Sequence, residues 1–146
     1  MGPIMGTNTN ELERLSFTIE KPLLLKMEKL MRRGKFSNRS EFIRDLIRSR
    51  LVEDEWEHDE EAVGTVTLIY NHETRQLSDK LTALQHEHHH AVLATTHIHL
   101  DHDLCAEMIM VKGRSHVLRE LSDMLGQQKG VLHAKLTMSS TGKHLK

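Results

Sequence analysis

Cysteine occurs once in these 146 residues, proline twice, and aromatic residues make up 3% of the chain. One cysteine excludes an internal disulfide framework and fits a reducing compartment. So few aromatic rings leave little for stacking on single-stranded bases. No apolar run approaches the roughly 20 residues of a membrane span. The opening Met1–Asn10 has neither the basic nor the apolar region of a secretory signal. These absences predict a soluble, cytoplasmic protein. Net charge is also nearly lacking, at −1 with neutral histidines, so the overall balance selects no class of partner.

The distribution of charge is more informative. Residues 1–52 carry eleven Lys/Arg against six Asp/Glu, a net of +5. Residues 53–62 carry seven acids and no Lys or Arg, and residues 63–146 come to +1. A basic head, an acidic joint and a near-neutral body predict two functional modules. The segments expected are a flexible arm (1–12), a head (13–52), a linker (53–62), a body (63–138) and a polar tail (139–146).

Histidine is abundant. Seven of the twelve, and the lone cysteine, fall between Gln85 and Cys105. Imidazole and thiolate are strong donors for late first-row divalent metals. His97 and His99 lie in a β-branched, apolar run, Ala91–Leu100, and residues i and i+2 of a strand share a face. Cys105 follows the turn-like Leu100-Asp-His-Asp-Leu104 and can return its sulfur to the same ion. A fourth donor must come from elsewhere. The spacing matches no standard zinc-finger pattern and leaves nickel, copper and zinc open.

In the head, Leu15, Phe17 and Ile19 alternate with Arg14, Ser16, Thr18 and Glu20, which predicts a short strand. No second strand appears before residue 63, so its partner should be the same strand of another copy. Pro22 suits the first turn of a helix bearing Leu23, Leu24, Met27, Leu30 and Met31, with Gly34 ending it. Asn38 and Glu41 fit a capping box for a second helix that turns Phe42, Ile43, Ile47 and Leu51 inward. Forty residues give too small a core for a stable monomer, so dimerisation is expected.

This head resembles the ribbon-helix-helix DNA-binding family, through Arg14-Leu-Ser-Phe-Thr-Ile19 and Gly34-Lys-Phe-Ser-Asn-Arg-Ser-Glu-Phe-Ile-Arg44. The resemblance implies that two copies pair their strands into a ribbon that enters the major groove of double-stranded DNA. Arg14, Ser16 and Thr18 are then the outward, base-reading side chains. The start of the second helix, Ser37 to Ser40, offers backbone N–H groups to a phosphate.

From residue 63 the pattern changes. Val63–Tyr70 reads as a strand, Asn71–Thr74 as a turn, and Leu77, Leu81, Leu84 and His88 share a helical face from which His86 points away. Strands follow over Ala91–Leu100 and Cys105–Val111. A helix then carries Val117, Leu118, Leu121, Met124 and Leu125, with Gly130 expected just beyond its C-terminus. Val131–Met138 is the last strand. Met108, Met110 and Met124 are expected in the core. The order β-α-β-β-α-β is the ferredoxin-like arrangement, giving an α+β protein overall. Two helices cover one face of such a sheet, and another copy is expected on the other.

As a whole, the chain resembles the nickel-responsive transcription regulators, over about residues 13–138. Gln85-His-Glu-His-His-His90 and Thr96-His-Ile-His-Leu-Asp-His-Asp-Leu-Cys105 carry the likeness, with an ACT-type ferredoxin-like body. The resemblance implies nickel(II) held by His97, His99 and Cys105 of one subunit and His86 of another across a homotetramer. Gln85 and Glu107 would orient ligands by hydrogen bonding. Glu41 and Asp45 match carboxylates that in some members help bind a further cation. The implied function is nickel-dependent operator binding that represses nickel uptake, without enzymatic activity. His88, His89, His90 and His102 match no assigned ligand, although they are candidates for weaker metal sites. Two alternatives stay open: an ACT-type regulator sensing a small molecule, and a metal-binding chaperone that ignores DNA. A metal-dependent hydrolase would need an open coordination position, for which four protein donors leave little room.

Overall fold

The computed structural model describes residues 11–145. The expected arm therefore lies outside the described residues, except for Glu11 and Leu12. Two compact units are present. One ends at Ser49 and includes the chain from His144; the other runs from Arg50 to Lys143.

In the first unit, residues 11–20 form no ladder within the single chain. A strand is defined by its partner, and this segment was expected to find one in a second copy. Leu15 is 83% and Phe17 63% exposed, as they would be before pairing. Helix α1 spans Lys21–Arg33, with Pro22 in its first turn. Its end departs from the expectation that Gly34 would supply the left-handed residue. Gly34 is right-handed (φ −80°), and Lys35 takes the positive φ of 57°. The amide of Lys35 donates to Arg32 O and that of Phe36 to Met31 O, so these two bonds close the last turn. Glycine is needed at 34 for another reason: a Cβ there would lie 2.6 Å from the Phe36 ring. Phe36 meets Phe42 edge-on, with centroids 5.2 Å apart.

Helix α2 spans Arg39–Glu57. Asn38 Oδ1 accepts the Glu41 amide at 2.9 Å, as an N-cap should. The Glu41 carboxylate turns to Arg44 instead, so among the described contacts the cap is one-sided. Phe42 is the only buried residue between 11 and 49, which is the small core anticipated from the length of the head. The acidic stretch from residue 53 is helical as far as Glu57.

The second unit holds β1 (Glu61–Asn71), α3 (Leu77–Glu87), β2 (Val92–His99), β3 (Leu104–Arg114), α4 (Ser115–Gly126) and β4 (Val131–Ser140). The sheet order is β2-β3-β1-β4 with every pair antiparallel, the ferredoxin-like topology. Strand alternation selects the faces. Val66, Leu68 and Tyr70 of β1 and Ile109 and Val111 of β3 are fully buried with Leu77 and Leu81 of α3 and Leu118, Leu121 and Leu125 of α4. Each such leucine contributes on the order of 1.5–3 kcal/mol by burial.

Two expectations are corrected here. Met110 is 45% exposed rather than in the core, because β3 turns Met108 and Met110 to the sheet face opposite Ile109. Gly130 does not follow α4 directly. The helix is capped at Gln127, and Gly130 (φ 101°) sits in the turn entering β4. A Cβ at Gly130 would lie 2.6 Å from Thr74 Cγ2.

Candidate metal centre

The β2–β3 hairpin builds the site. Asp101 Oδ1 accepts the amides of Asp103 (2.9 Å) and Leu104 (2.8 Å), and Leu100 N donates to Leu104 O at 2.8 Å. This local bonding reverses the chain tightly. It also holds the Asp101 carboxyl below the usual carboxylate range, chiefly through the Leu104 amide and then that of Asp103. The register that results sets His99 opposite Cys105 and His97 opposite Glu107. Across the next pairing, Cys105 faces Tyr70 of β1. His97, His99, Cys105, Glu107 and Tyr70 therefore share one sheet face.

Cys105 is fully buried, and its Sγ lies 3.3 Å from His99 Nδ1 and 3.5 Å from His72 Nδ1. Burial, then the charges of Asp101 and Glu107, push its thiol upward, so a metal must displace a proton there. The His97 ring stands 5.2 Å from that of His99, both on the exposed edge strand β2. Among the described residues, His72, His99 and Cys105 bring donor atoms within 4.8 Å of one another. Two imidazoles and a thiol converging on a dry pocket suit a late first-row metal.

His72 was not anticipated. The signal was available: it lies two residues beyond Tyr70, on the same strand parity. Its amide extends the β1–β3 pairing by donating to Asp103 O at 3.1 Å. His86 is exposed on the last turn of α3 and belongs to neither donor cluster of its own chain. Gln85, beside it, is tied to the sheet: its Nε2 donates to Glu107 Oε1 at 2.6 Å, and its Oε1 accepts from Thr95 Oγ1 at 2.6 Å. Tyr70 O–H donates to Glu107 Oε2 at 2.9 Å and lies 3.2 Å from His97 Nδ1. Burial, followed by Glu107, raises the Tyr70 hydroxyl above its ordinary pKa, so it stays a phenol.

The neighbouring histidines have other partners. His88 Nδ1 lies 2.9 Å from Leu84 O and His89 Nδ1 3.2 Å from His86 O, where they satisfy carbonyls left open at the end of α3. His90 packs near both rings. His102 pairs with Asp103 at 2.6 Å and, with Glu73, forms a second donor cluster whose members are all exposed.

In the head, Arg14, Ser16 and Thr18 are all exposed. Leu15, Phe17, Ile19, Leu24, Met27 and Ile43 line an open groove of about 300 Å³. Glu41 and Asp45 are exposed on the first turns of α2. None of the model's helices is long and apolar enough to cross a membrane, among the described residues.

Comparison with known proteins gives these features a context. Residues 63–139 match the family described as the NikR C-terminal nickel-binding domain, and residues 13–54 match ribbon-helix-helix proteins of the copG family. The chain is 48% identical over 136 residues to a protein of Solibacter usitatus assigned as a nickel-responsive regulator, covering 92% of this chain and 98% of that one. Proteins with the same assignment are 47% identical in Geotalea uraniireducens and 46% identical in Desulfotalea psychrophila, with the same coverage. With its metal-ligand chemistry in the body and its ribbon-helix-helix head, the chain belongs to the family of nickel-responsive transcription regulators, which bind nickel and DNA and are not enzymes.

Proposed function

We propose that this regulator senses cytoplasmic nickel(II) through a site shared between copies, built from His97, His99 and Cys105 of one chain and His86 of another. The observation that carries this reading is the hairpin register. It sets His99 against a buried sulfur and leaves His86 exposed, one residue from an anchored Gln85. Nickel(II), when bound, supplies a planar set of bonds able to join donors from two chains. The chain's own residues do the rest. Burial keeps water from Cys105, Glu107 and Gln85 hold the ligand-bearing elements together, and α3 presents His86 outward.

A site that spans chains requires a particular assembly, here a homotetramer of paired dimers. The uncovered sheet face bearing Ile98 and Met110, 41% and 45% exposed, supports a contact between bodies. The groove beside Leu15 and Phe17 supports a ribbon made by two heads. Arg14, Ser16 and Thr18 would then read base edges in the operator's major groove. The modules are a head over 13–52, a joint over 53–62 and a body over 63–138. Glu41 and Asp45 are proposed to bind a further cation. Nickel occupancy favours the head arrangement that grips two half-sites, and the outcome is repression of nickel-uptake genes. A coupling of about 1–3 kcal/mol would change operator affinity roughly 5- to 150-fold.

Gel-shift titration with and without nickel tests the switch, and equal operator affinity in both would end it. His72 offers a rival fourth donor inside one chain, since its Nδ1 is 3.5 Å from Sγ. Mixing His86→Ala chains with Cys105→Ala chains separates the readings. Donation between chains restores a planar nickel spectrum in the mixture, whereas a site completed by His72 is already intact in His86→Ala alone.

A further inference from the structure

A directed chain of hydrogen bonds runs from the ligand-bearing strand to the last turn of α3. The Glu107 carboxylate only accepts. It takes Gln85 Nε2–H on one oxygen and Tyr70 O–H on the other, at 2.6 and 2.9 Å. The single hydroxyl hydrogen of Tyr70 is thereby used. What remains on that oxygen is a lone pair, 3.2 Å from His97 Nδ1. The imidazole must therefore donate from Nδ1, which leaves the lone pair of its Nε2 free for a metal. Gln85 is itself held from the opposite side by Thr95 Oγ1, so its amide cannot reverse without losing both partners.

We propose that Tyr70 is a positioning residue that sets the tautomer of His97. Through Glu107 and Gln85 it couples the site a chain completes with its own His97 to the site that chain serves with His86. The tautomer half stands on the hydrogen bonds alone. The coupling half rests on the reading that His86 is given to another copy. Gln85 and His86 are consecutive on α3, so fixing His97 on a metal tightens the relay and holds the turn that carries His86. Nickel binding at one site thus favours binding at the next.

Nitrogen-15 NMR of the histidine rings in the metal-free full-length protein reads the first half. Wild type should show His97 with its proton on Nδ1. Tyr70→Phe keeps the buried ring but removes the acceptor, so the signal should move to a mixture dominated by the Nε2–H form usual for exposed histidine. Nickel affinity should fall roughly 10-fold, as is typical when a ligand loses its orienting partner. An unchanged Tyr70→Phe tautomer would overturn the positioning role. For the second half, the nickel isotherm of Gln85→Ala should lose the steepness of wild type and approach independent sites. Equal steepness in the two proteins would overturn the coupling. Failure of His86 donation appears separately, as an intact four-donor nickel spectrum in His86→Ala, and leaves the tautomer result standing.

Discussion

Position 64 shows how little room a single residue can have. A Cβ on Gly64 of β1 would stand 2.7 Å from Thr137 O of β4. That neighbour is backbone within a ladder and cannot swing aside. Gly64→Ala should cost about 1–3 kcal/mol, the usual range for overpacking, measured as a lowered denaturation midpoint. Leu118, fully buried under the sheet, should cost about 2–5 kcal/mol when cut to alanine, by the same measurement. His97, His99 and Cys105 were legible as donors because two strand-period histidines and a lone cysteine are chemically conspicuous. Tyr70 and His72 were not, since a tyrosine and a histidine closing a strand look ordinary until the fold sets them beside the sulfur.

At the scale of elements, the β2–β3 turn and the entry to α4 each depend on one carboxylate. Asp101→Ala removes the acceptor for two amides, so nickel binding should weaken, while Asp101→Asn keeps an acceptor oxygen and should stay near wild type. Calorimetric titration of both variants checks this. Asp59, itself at a positive φ of 55°, accepts the His116 amide at 2.9 Å and Ser115 Oγ at 3.2 Å, and meets His116 Nδ1 at 2.6 Å. It acts as an N-cap borrowed from distant sequence, bonding at the positive end of the helix dipole. These bonds, led by the His116 amide, hold the Asp59 carboxyl below its ordinary pKa. Its contribution is therefore present above about pH 4 and is lost as the pH falls below that value. Acid titration followed by circular dichroism should find Asp59→Asn less stable than wild type at neutral pH, with the difference closing in acid. No local pattern revealed this cap, because Asp59 reaches α4 only after an entire β-α-β-β passage. The Asn38 cap was legible because it lies three residues from the amide it accepts.

For the molecule as a whole, the unpartnered surfaces carry the prediction. Met110 lies on the sheet face that no helix covers, beside Ile98 on the neighbouring strand. A charge buried between bodies would be costly, so Met110→Glu should shift sedimentation from a tetramer to a smaller species while circular dichroism of the isolated species stays native. Operator binding should be lost with the tetramer.

What the sequence determined by itself follows from short-range periodicity and donor chemistry: two helices and an incomplete strand, then β-α-β-β-α-β, and a histidine-and-sulfur centre on one hairpin. Such features repeat every two to four residues, so any reader of the chain meets them directly. The tertiary structure alone decided which side chains serve those donors. Sheet register brought Tyr70, His72 and Glu107 from separate strands to the hairpin. The packing of α3 carried Gln85 to Glu107 and left His86 facing outward. Such contacts join residues tens of positions apart, and their hydrogen-bond direction depends on distances that no linear pattern encodes.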